Sequence, residues 1–276
     1  MSSLSDSSHQ SSSKKHTIIK GVDYSAILKL QRKFKLFPRN FCLISGAPRS
    51  GTTALCEWLG HQSGVKVFYE SRILVSIHRF MAEVHRFRNL EKDSAIITNL
   101  ARLLVFDYYS SSRILIGTRL LIDKEPLEPI AFPSKDYEKF IVNVKRLFPE
   151  SKLILVIRDP IATIWSMKNR TWGSSLTGIE SKEFTLDEYI ENWCSCADLI
   201  SKYISDPNTY IVRYDKIIDD PENESKRIFN FLKISGNSFQ PRPTKEIGFS
   251  KKEKDHILQT VGPQLELLKA HGISDL

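Results

Sequence analysis

The chain has 276 residues, of which 41% are hydrophobic and 26% charged, a composition typical of a globular protein. This composition excludes a wholly disordered chain, a collagen and a small disulfide scaffold. A chain of this length also buries enough surface to form a core without cross-links. The formal net charge of +8 fits either a solvated basic surface or an anionic partner, such as a nucleotide, a phosphate or sulfate donor, a nucleic acid or a membrane surface.

The N-terminal segment is rich in serine and has no apolar run. It predicts a disordered tail over residues 1–20 and a single domain over residues 21–276. The sequence shows neither a signal peptide nor about 18 consecutive apolar residues, so we expect no membrane span and a cytoplasmic location. The four cysteines do not have the spacing of a zinc site, and no metal is expected.

Apolar patterning predicts strands that alternate with helices along the rest of the chain. Short apolar runs predict strands at residues 41–45, 65–69, 119–122, 153–157 and 210–212. Helical spacing predicts helices at residues 53–59, 73–84, 96–104, 137–147 and 253–270. Capping signals begin three more helices, near Pro160, Thr185 and Asp220. This alternation favours an α/β fold with a mainly parallel central sheet and helices on both of its faces.

A glycine-containing loop at residues 46–53 follows the first predicted strand and opens the first predicted helix, which is the context of a phosphate-binding loop. Backbone N–H groups of such a loop, with the positive end of the helix, hold an anion. The Lys that contacts ATP in the usual pattern is replaced by Thr52, while Arg49 lies inside the loop. The loop therefore favours a phosphate-bearing donor other than ATP, with a turn that binds no ligand as the alternative.

Two elements resemble the sulfotransferases that use 3′-phosphoadenosine 5′-phosphosulfate (PAPS). Residues 48–53 read Pro-Arg-Ser-Gly-Thr-Thr, like the 5′-phosphosulfate loop of that family, and the strand at residues 153–157 leads into Arg158-Asp-Pro, with Ser166 eight residues after the Arg. The resemblance implies a P-loop NTPase-like three-layer fold, with PAPS as the sulfuryl donor and no metal. The implied donor-binding residues are Arg49, Ser50, Gly51, Thr52, Thr53, Arg158, Ser166 and Tyr214.

Shorter elements are similar to those of the tyrosylprotein and carbohydrate sulfotransferases. Residues 70–72 read Glu-Ser-Arg, resembling an element whose Glu is the proposed base of the tyrosylprotein enzymes, and residues 124–126 read Lys-Glu-Pro, resembling their Lys-Asp-Pro element. The resemblance thus implies Glu70, Lys124 and Arg49 as catalytic residues. A parallel sheet brings Glu70 to the same edge as Arg49. A purely structural ion pair between Glu70 and Lys124 is the alternative.

The predicted function is in-line transfer of a sulfuryl group from PAPS to a hydroxyl acceptor (a carbohydrate, a protein tyrosine or a small molecule), with Glu70 as general base. The first alternative is a P-loop kinase, which predicts Lys at position 52 and an Asp where Arg158 ends its strand. The second is a non-catalytic anion- or nucleic-acid-binding protein. The basic, aromatic run at residues 29–39 is its best feature, but no recognised nucleic-acid module accompanies it, and we expect no nucleic-acid partner.

Overall fold

The computed structural model of the protein describes residues 40–87, 94–111, 117–174, 179–241 and 247–273. The predicted tail at residues 1–20 and the basic run at residues 29–39 lie outside the described residues. The strands are β1 (Asn40–Gly46), β2 (Val65–Tyr69), β3 (Leu120–Lys124), β4 (Lys152–Ile157), β5 (Trp172–Ser174), β6 (Ile179–Lys182) and β7 (Thr209–Arg213). The helices are α1 (Thr52–Gly60), α2 (Ile73–Phe87), α3 (Ser94–Ser111), α4 (Tyr137–Leu147), α5 (Pro160–Lys168), α6 (Leu186–Tyr203), α7 (Tyr214–Asp219), α8 (Pro221–Leu232) and α9 (Lys251–Ala270).

Five strands form one parallel sheet in the order β2-β3-β1-β4-β7. The central strand β1 pairs with β3, where Ile44 lies opposite Lys124, and with β4, where Gly46 lies opposite Val156. The chain leaves β1 toward β2 on one side and later returns to β4 and β7 on the other. The carboxyl end of β1 is therefore the topological switch point, which is where open α/β sheets bind ligands.

Two apolar cores cover the two faces of this sheet. Leu43 and Leu155 point into one core with helices α2 to α6 and α9, while Ile44 and Val156 point into the other with α1, α7 and α8. Successive residues of a strand face opposite sides, so a strand buried on both faces is apolar throughout. The unbroken apolar run of β4 fits this placement, and the predicted three-layer α/β fold is confirmed.

The capping signals read from the sequence form as expected. The carboxylate of Asp159 accepts a hydrogen bond from the backbone N–H of Ala162 at the start of α5, and Thr185 with Glu188 forms a reciprocal capping box at the start of α6. The antiparallel pair β5–β6 and the helix α7 were not predicted. Each is too short to show a periodic pattern.

Candidate functional site

The loop between β1 and α1 has the geometry of an anion site. Gly51 adopts φ +103°, and no side chain caps the helix that begins at Thr52. The first turn of a helix leaves backbone N–H donors without partners in the helix, and the positive end of the helix dipole attracts negative charge. The loop therefore presents donors for an anion at the carboxyl end of β1.

Close contacts allow only glycine at two positions of this loop. A Cβ atom on Gly46 would lie 2.3 Å from the backbone oxygen of Val156, and one on Gly51 would lie 2.0 Å from Cδ2 of Tyr214. Tyr214 begins α7 directly after β7 and is buried. Its ring thus packs on the loop, which places it beside the predicted donor site.

Arg49 links the loop to the helix that follows β4. Its Nε donates a hydrogen bond to Oγ of Ser166 in α5 at 3.1 Å. Burial, together with the positive charges of Arg170 and Arg158, lowers the pKa of Arg49. The same side chains therefore crowd positive charge into one place, and a bound anion would relieve the repulsion.

Arg158 lies at the carboxyl end of β4, as predicted. Its guanidinium carbon is 5.3 Å from the centre of the Tyr214 ring, and its Nε is 4.0 Å from a carboxylate oxygen of Asp215. Nε is buried and has no hydrogen-bond partner, and the same holds for the hydroxyl of Ser50. Buried polar atoms are almost always hydrogen-bonded, so Nε of Arg158, whose side chain lines the cleft, is available to a ligand.

Glu70 and Lys124 meet at the carboxyl ends of β2 and β3. Nζ of Lys124 donates to Oε1 of Glu70 and also to Oγ1 of Thr53, the latter at 3.1 Å. Lys124 is 3% exposed and Glu70 26% exposed. Burial raises the pKa of Glu70, but the hydrogen bond and charge of Lys124 and the charge of Arg72 outweigh burial, so its pKa lies below the usual value. Glu70 is therefore ionised at neutral pH.

A set of carboxylates around Arg72 is the main feature that sequence reasoning missed. The guanidinium of Arg72 donates to Glu70 and Glu125, each at 3.3 Å, and to Glu128 at 2.6 Å. Glu125 and Glu128 are buried. Glu125 belongs to the Lys-Glu-Pro element at residues 124–126, which was a partial signal, but no sequence spacing connects Glu125 to Arg72.

These residues surround a cleft that encloses about 740 Å³, part of it open to solvent. Nine of the ten predicted site residues line it, namely Arg49, Gly51, Thr52, Thr53, Glu70, Lys124, Arg158, Ser166 and Tyr214. Ser50 does not line the cleft, since its side chain is buried beneath the loop. Arg170, which also lines the cleft, was missed; its position four residues after Ser166 was the available signal.

The described ranges contain neither a metal-site arrangement nor a membrane-spanning helix. In these parts of the chain, no group of three or more His, Cys, Asp or Glu side chains has the arrangement of a metal site. Among the helices of the same ranges, none combines the length and the apolar character that crossing a bilayer needs.

Together, the parallel sheet, the helix after β1 that no side chain caps and the cation-rich cleft describe an α/β protein with a candidate anion site at the carboxyl end of β1. The model of the sulfotransferase family matches residues 42–238. The chain therefore belongs to the sulfotransferase family, and the resemblance seen in its motifs is confirmed.

Individual relatives are distant. Protein-tyrosine sulfotransferase A of Caenorhabditis elegans is 25% identical over 208 residues, which cover 70% of this chain and 50% of that protein. Nodulation protein NoeE of Sinorhizobium fredii (strain NBRC 101917 / NGR234) is 24% identical over 225 residues, covering 72% of this chain and 50% of that protein. The chain thus spans about half the length of these curated relatives.

A solved structure supports the same fold. The sulfotransferase from Alicyclobacillus acidocaldarius superimposes with a TM-score of 0.54 at 14% identity, covering 87% of this chain and 98% of that one. At this identity the likeness shows the fold alone.

Proposed function

We propose that this chain is a PAPS-dependent sulfotransferase in which Glu70 removes the proton of a hydroxyl acceptor. The observation that carries the proposal is the position of Lys124, whose ammonium group donates both to Glu70 and to Thr53 of the phosphate loop. One side chain therefore joins the candidate base to the anion site. In-line transfer requires the base and the sulfuryl donor to lie next to the same acceptor oxygen.

The residues of the cleft fit PAPS. The donor carries phosphate groups at both its 5′ and 3′ ends, and its 5′-phosphate bears the sulfuryl group that is transferred. The loop from Arg49 to Thr53 would hold the 5′-phosphosulfate, while Arg158 and Ser166 would bind the 3′-phosphate. Nε of Arg158 is buried and makes no hydrogen bond, so it is available as a donor for such an anion. The crowding of Arg49, Arg158 and Arg170 also favours a ligand with several negative charges.

The mechanism assigns a separate role to each side chain. The ionised carboxylate of Glu70 accepts the acceptor proton as the new oxygen–sulfur bond forms. The bond between sulfur and the 5′-phosphate oxygen of PAPS breaks in the same transfer, and adenosine 3′,5′-bisphosphate leaves. Lys124 places a buried positive charge beside the base and the loop, where negative charge develops on the transferring group. Arg49 supplies a second positive charge from within the loop.

The proposed chemistry requires an acceptor that carries a hydroxyl group. One relative above is named as a protein-tyrosine sulfotransferase, and the short motifs also resemble those of the carbohydrate sulfotransferases, so protein tyrosine and carbohydrate hydroxyls are both candidates, beside small molecules. A panel of acceptors covers the three classes: a tyrosine-containing peptide, a hexosamine oligosaccharide and 2-naphthol.

Ligand-induced thermal shifts test the donor. Adenosine 3′,5′-bisphosphate (PAP), ATP and a DNA duplex are compared at micromolar concentrations with the full chain. We expect stabilisation by PAP alone, because ATP lacks the 3′-phosphate that Arg158 would bind. Stabilisation by ATP alone would instead support a kinase, and stabilisation by DNA alone a nucleic-acid-binding protein. Transfer of radiolabelled sulfate from PAPS to a panel acceptor then tests the activity.

A further inference from the structure

The turn that carries Glu70 has an unusual backbone. Glu70 has φ +50° and Arg72 has φ +58°, so two residues with side chains adopt the left-handed conformation within three positions. This conformation is unfavourable for residues other than glycine and persists only where the surrounding structure enforces it. The turn must therefore be held by specific contacts.

Two buried carboxylates from the end of β3 supply those contacts. Glu125 accepts a hydrogen bond from the backbone N–H of Arg72 at 2.6 Å through one oxygen and from its guanidinium at 3.3 Å through the other. Asp123 accepts from the hydroxyl of Ser71 at 2.5 Å. Both carboxylates are 0% exposed. They lie on either side of Lys124 in sequence, and neither lines the cleft.

The rest of the surroundings keeps these carboxylates in place. The hydroxyl of Tyr109 in α3 donates to the same oxygen of Asp123 that accepts from Ser71. Burial and the nearby carboxylate of Asp123 raise the pKa of Glu125, whereas the charge and backbone N–H of Arg72 oppose this rise. A buried carboxylate is costly unless it is hydrogen-bonded, and the hydrogen bonds to the Glu125 carboxylate come from Arg72 in the strained turn.

We propose that Glu125, assisted by Asp123, is a positioning residue that fixes the strained turn at Glu70–Arg72 and thereby holds the Glu70 carboxylate at the acceptor hydroxyl. The inference rests on the proposed role of Glu70 as base. Glu125 does not touch the cleft, so it acts only through the turn. Small displacements of a reacting group are costly in rate, since a shift of about 1 Å can lower turnover by about 10²-fold.

The test is a double-mutant cycle between Glu125→Gln and Glu70→Gln in the full chain. Gln keeps the shape of Glu125 but has only one acceptor oxygen. One of the two Arg72 donors, the backbone N–H or the guanidinium, therefore loses its acceptor. Ser71→Ala is a second, milder variant that removes the bond to Asp123. Glu138→Gln is the matched control, because this α4 carboxylate is exposed and pairs with Lys202. The readouts are kcat with PAPS and the best panel acceptor, PAP affinity by calorimetry, and the pH profile of kcat.

We expect Glu125→Gln to lower kcat by about 10²-fold and to leave PAP affinity unchanged. The acid limb of the pH profile should move to higher pH, because Glu70 moves away from Lys124, whose hydrogen bond and charge lower its pKa. In the Glu70→Gln background the same change should lower kcat no further, because both act through one base. If Glu125→Gln does not fold, Ser71→Ala must show the same pattern at smaller size.

The outcomes separate this inference from the proposed function. If Glu70→Gln leaves kcat unchanged, Glu70 is not the base and both are wrong. If Glu70→Gln lowers kcat while Glu125→Gln and Ser71→Ala change only the melting temperature, the positioning role alone is overturned. Losses that add fully in the double variant would also overturn it, since they would show that Glu125 acts independently of Glu70.

Discussion

Replacing Glu70 by Gln removes the proposed base while keeping the shape of the side chain. The structure shows that this residue is also half of an ion pair with Lys124, which is 3% exposed. The substitution must therefore affect stability as well as turnover, and the sizes of the two effects can be estimated separately.

The stability effect is small. Gln still offers an oxygen to the Lys124 ammonium, so the hydrogen bond keeps its charged donor and loses only the charge of its acceptor, a difference of about 1 kcal/mol. For a protein of this size, that corresponds to a decrease in Tm of about 2–4 °C. Turnover should decrease by about 10²- to 10⁴-fold, the usual contribution of acid–base catalysis, which corresponds to about 2.7–5.4 kcal/mol in the barrier.

Melting curves and PAPS turnover with the best panel acceptor measure the two effects on one sample. Titration with PAP gives the folded, binding-competent fraction, so that kcat refers to folded enzyme only. Glu138→Gln again serves as the surface control. A decrease in Tm of the expected size with kcat per folded enzyme within a factor of about ten of the wild type would refute Glu70 as base and leave a purely structural ion pair.

Three further predictions concern the donor side and the base. Arg158→Ala should weaken PAP binding by about 10- to 150-fold but leave adenosine 5′-phosphosulfate, which lacks the 3′-phosphate, unaffected in calorimetry; equal losses would contradict the assignment. Lys124→Met should raise the pKa of Glu70, because the hydrogen bond and charge of Lys124 lower it, so the acid limb of the kcat–pH profile should move to higher pH; an unmoved limb would exclude Glu70 as its origin. Gly51→Ala should destabilise the protein by about 1–3 kcal/mol and reduce PAP affinity, because its Cβ would collide with Tyr214; unchanged Tm and affinity would disprove this contact.

The donor side of the site could be predicted because it depends on local sequence. A glycine-containing loop between a strand and a helix creates its anion site from backbone groups alone, so residues 46–53 carry the information themselves. The position of Arg158 could be predicted in the same way, because this residue directly follows the apolar run of one strand. Parallel pairing then brings the ends of β2 and β3 to the same edge, which is why Glu70 and Lys124 were expected near Arg49.

The contacts around Arg72 could not be predicted in the same way. They join side chains that are more than 50 positions apart, and their formation depends on a backbone conformation that ordinary propensities disfavour. The periodic spacing of apolar residues does not indicate where a Glu or an Arg adopts the left-handed backbone conformation. The sequence therefore indicated that Glu70 was important but not how its position is maintained.

The strand order also divides the molecule along β1. Lys124 and Glu70 lie on the β3–β2 side, whereas Arg158 and Tyr214 lie on the β4–β7 side. The connection from β2 to β3 contains α2 and α3 and includes none of the predicted donor-binding residues. Insertions or exchanges within that connection would leave the residues proposed to bind the donor unchanged. We expect chimaeras in which this β2–β3 connection is exchanged between relatives to change acceptor preference and keep their affinity for PAP. The acceptor side of the fold would then vary in evolution independently of the donor side.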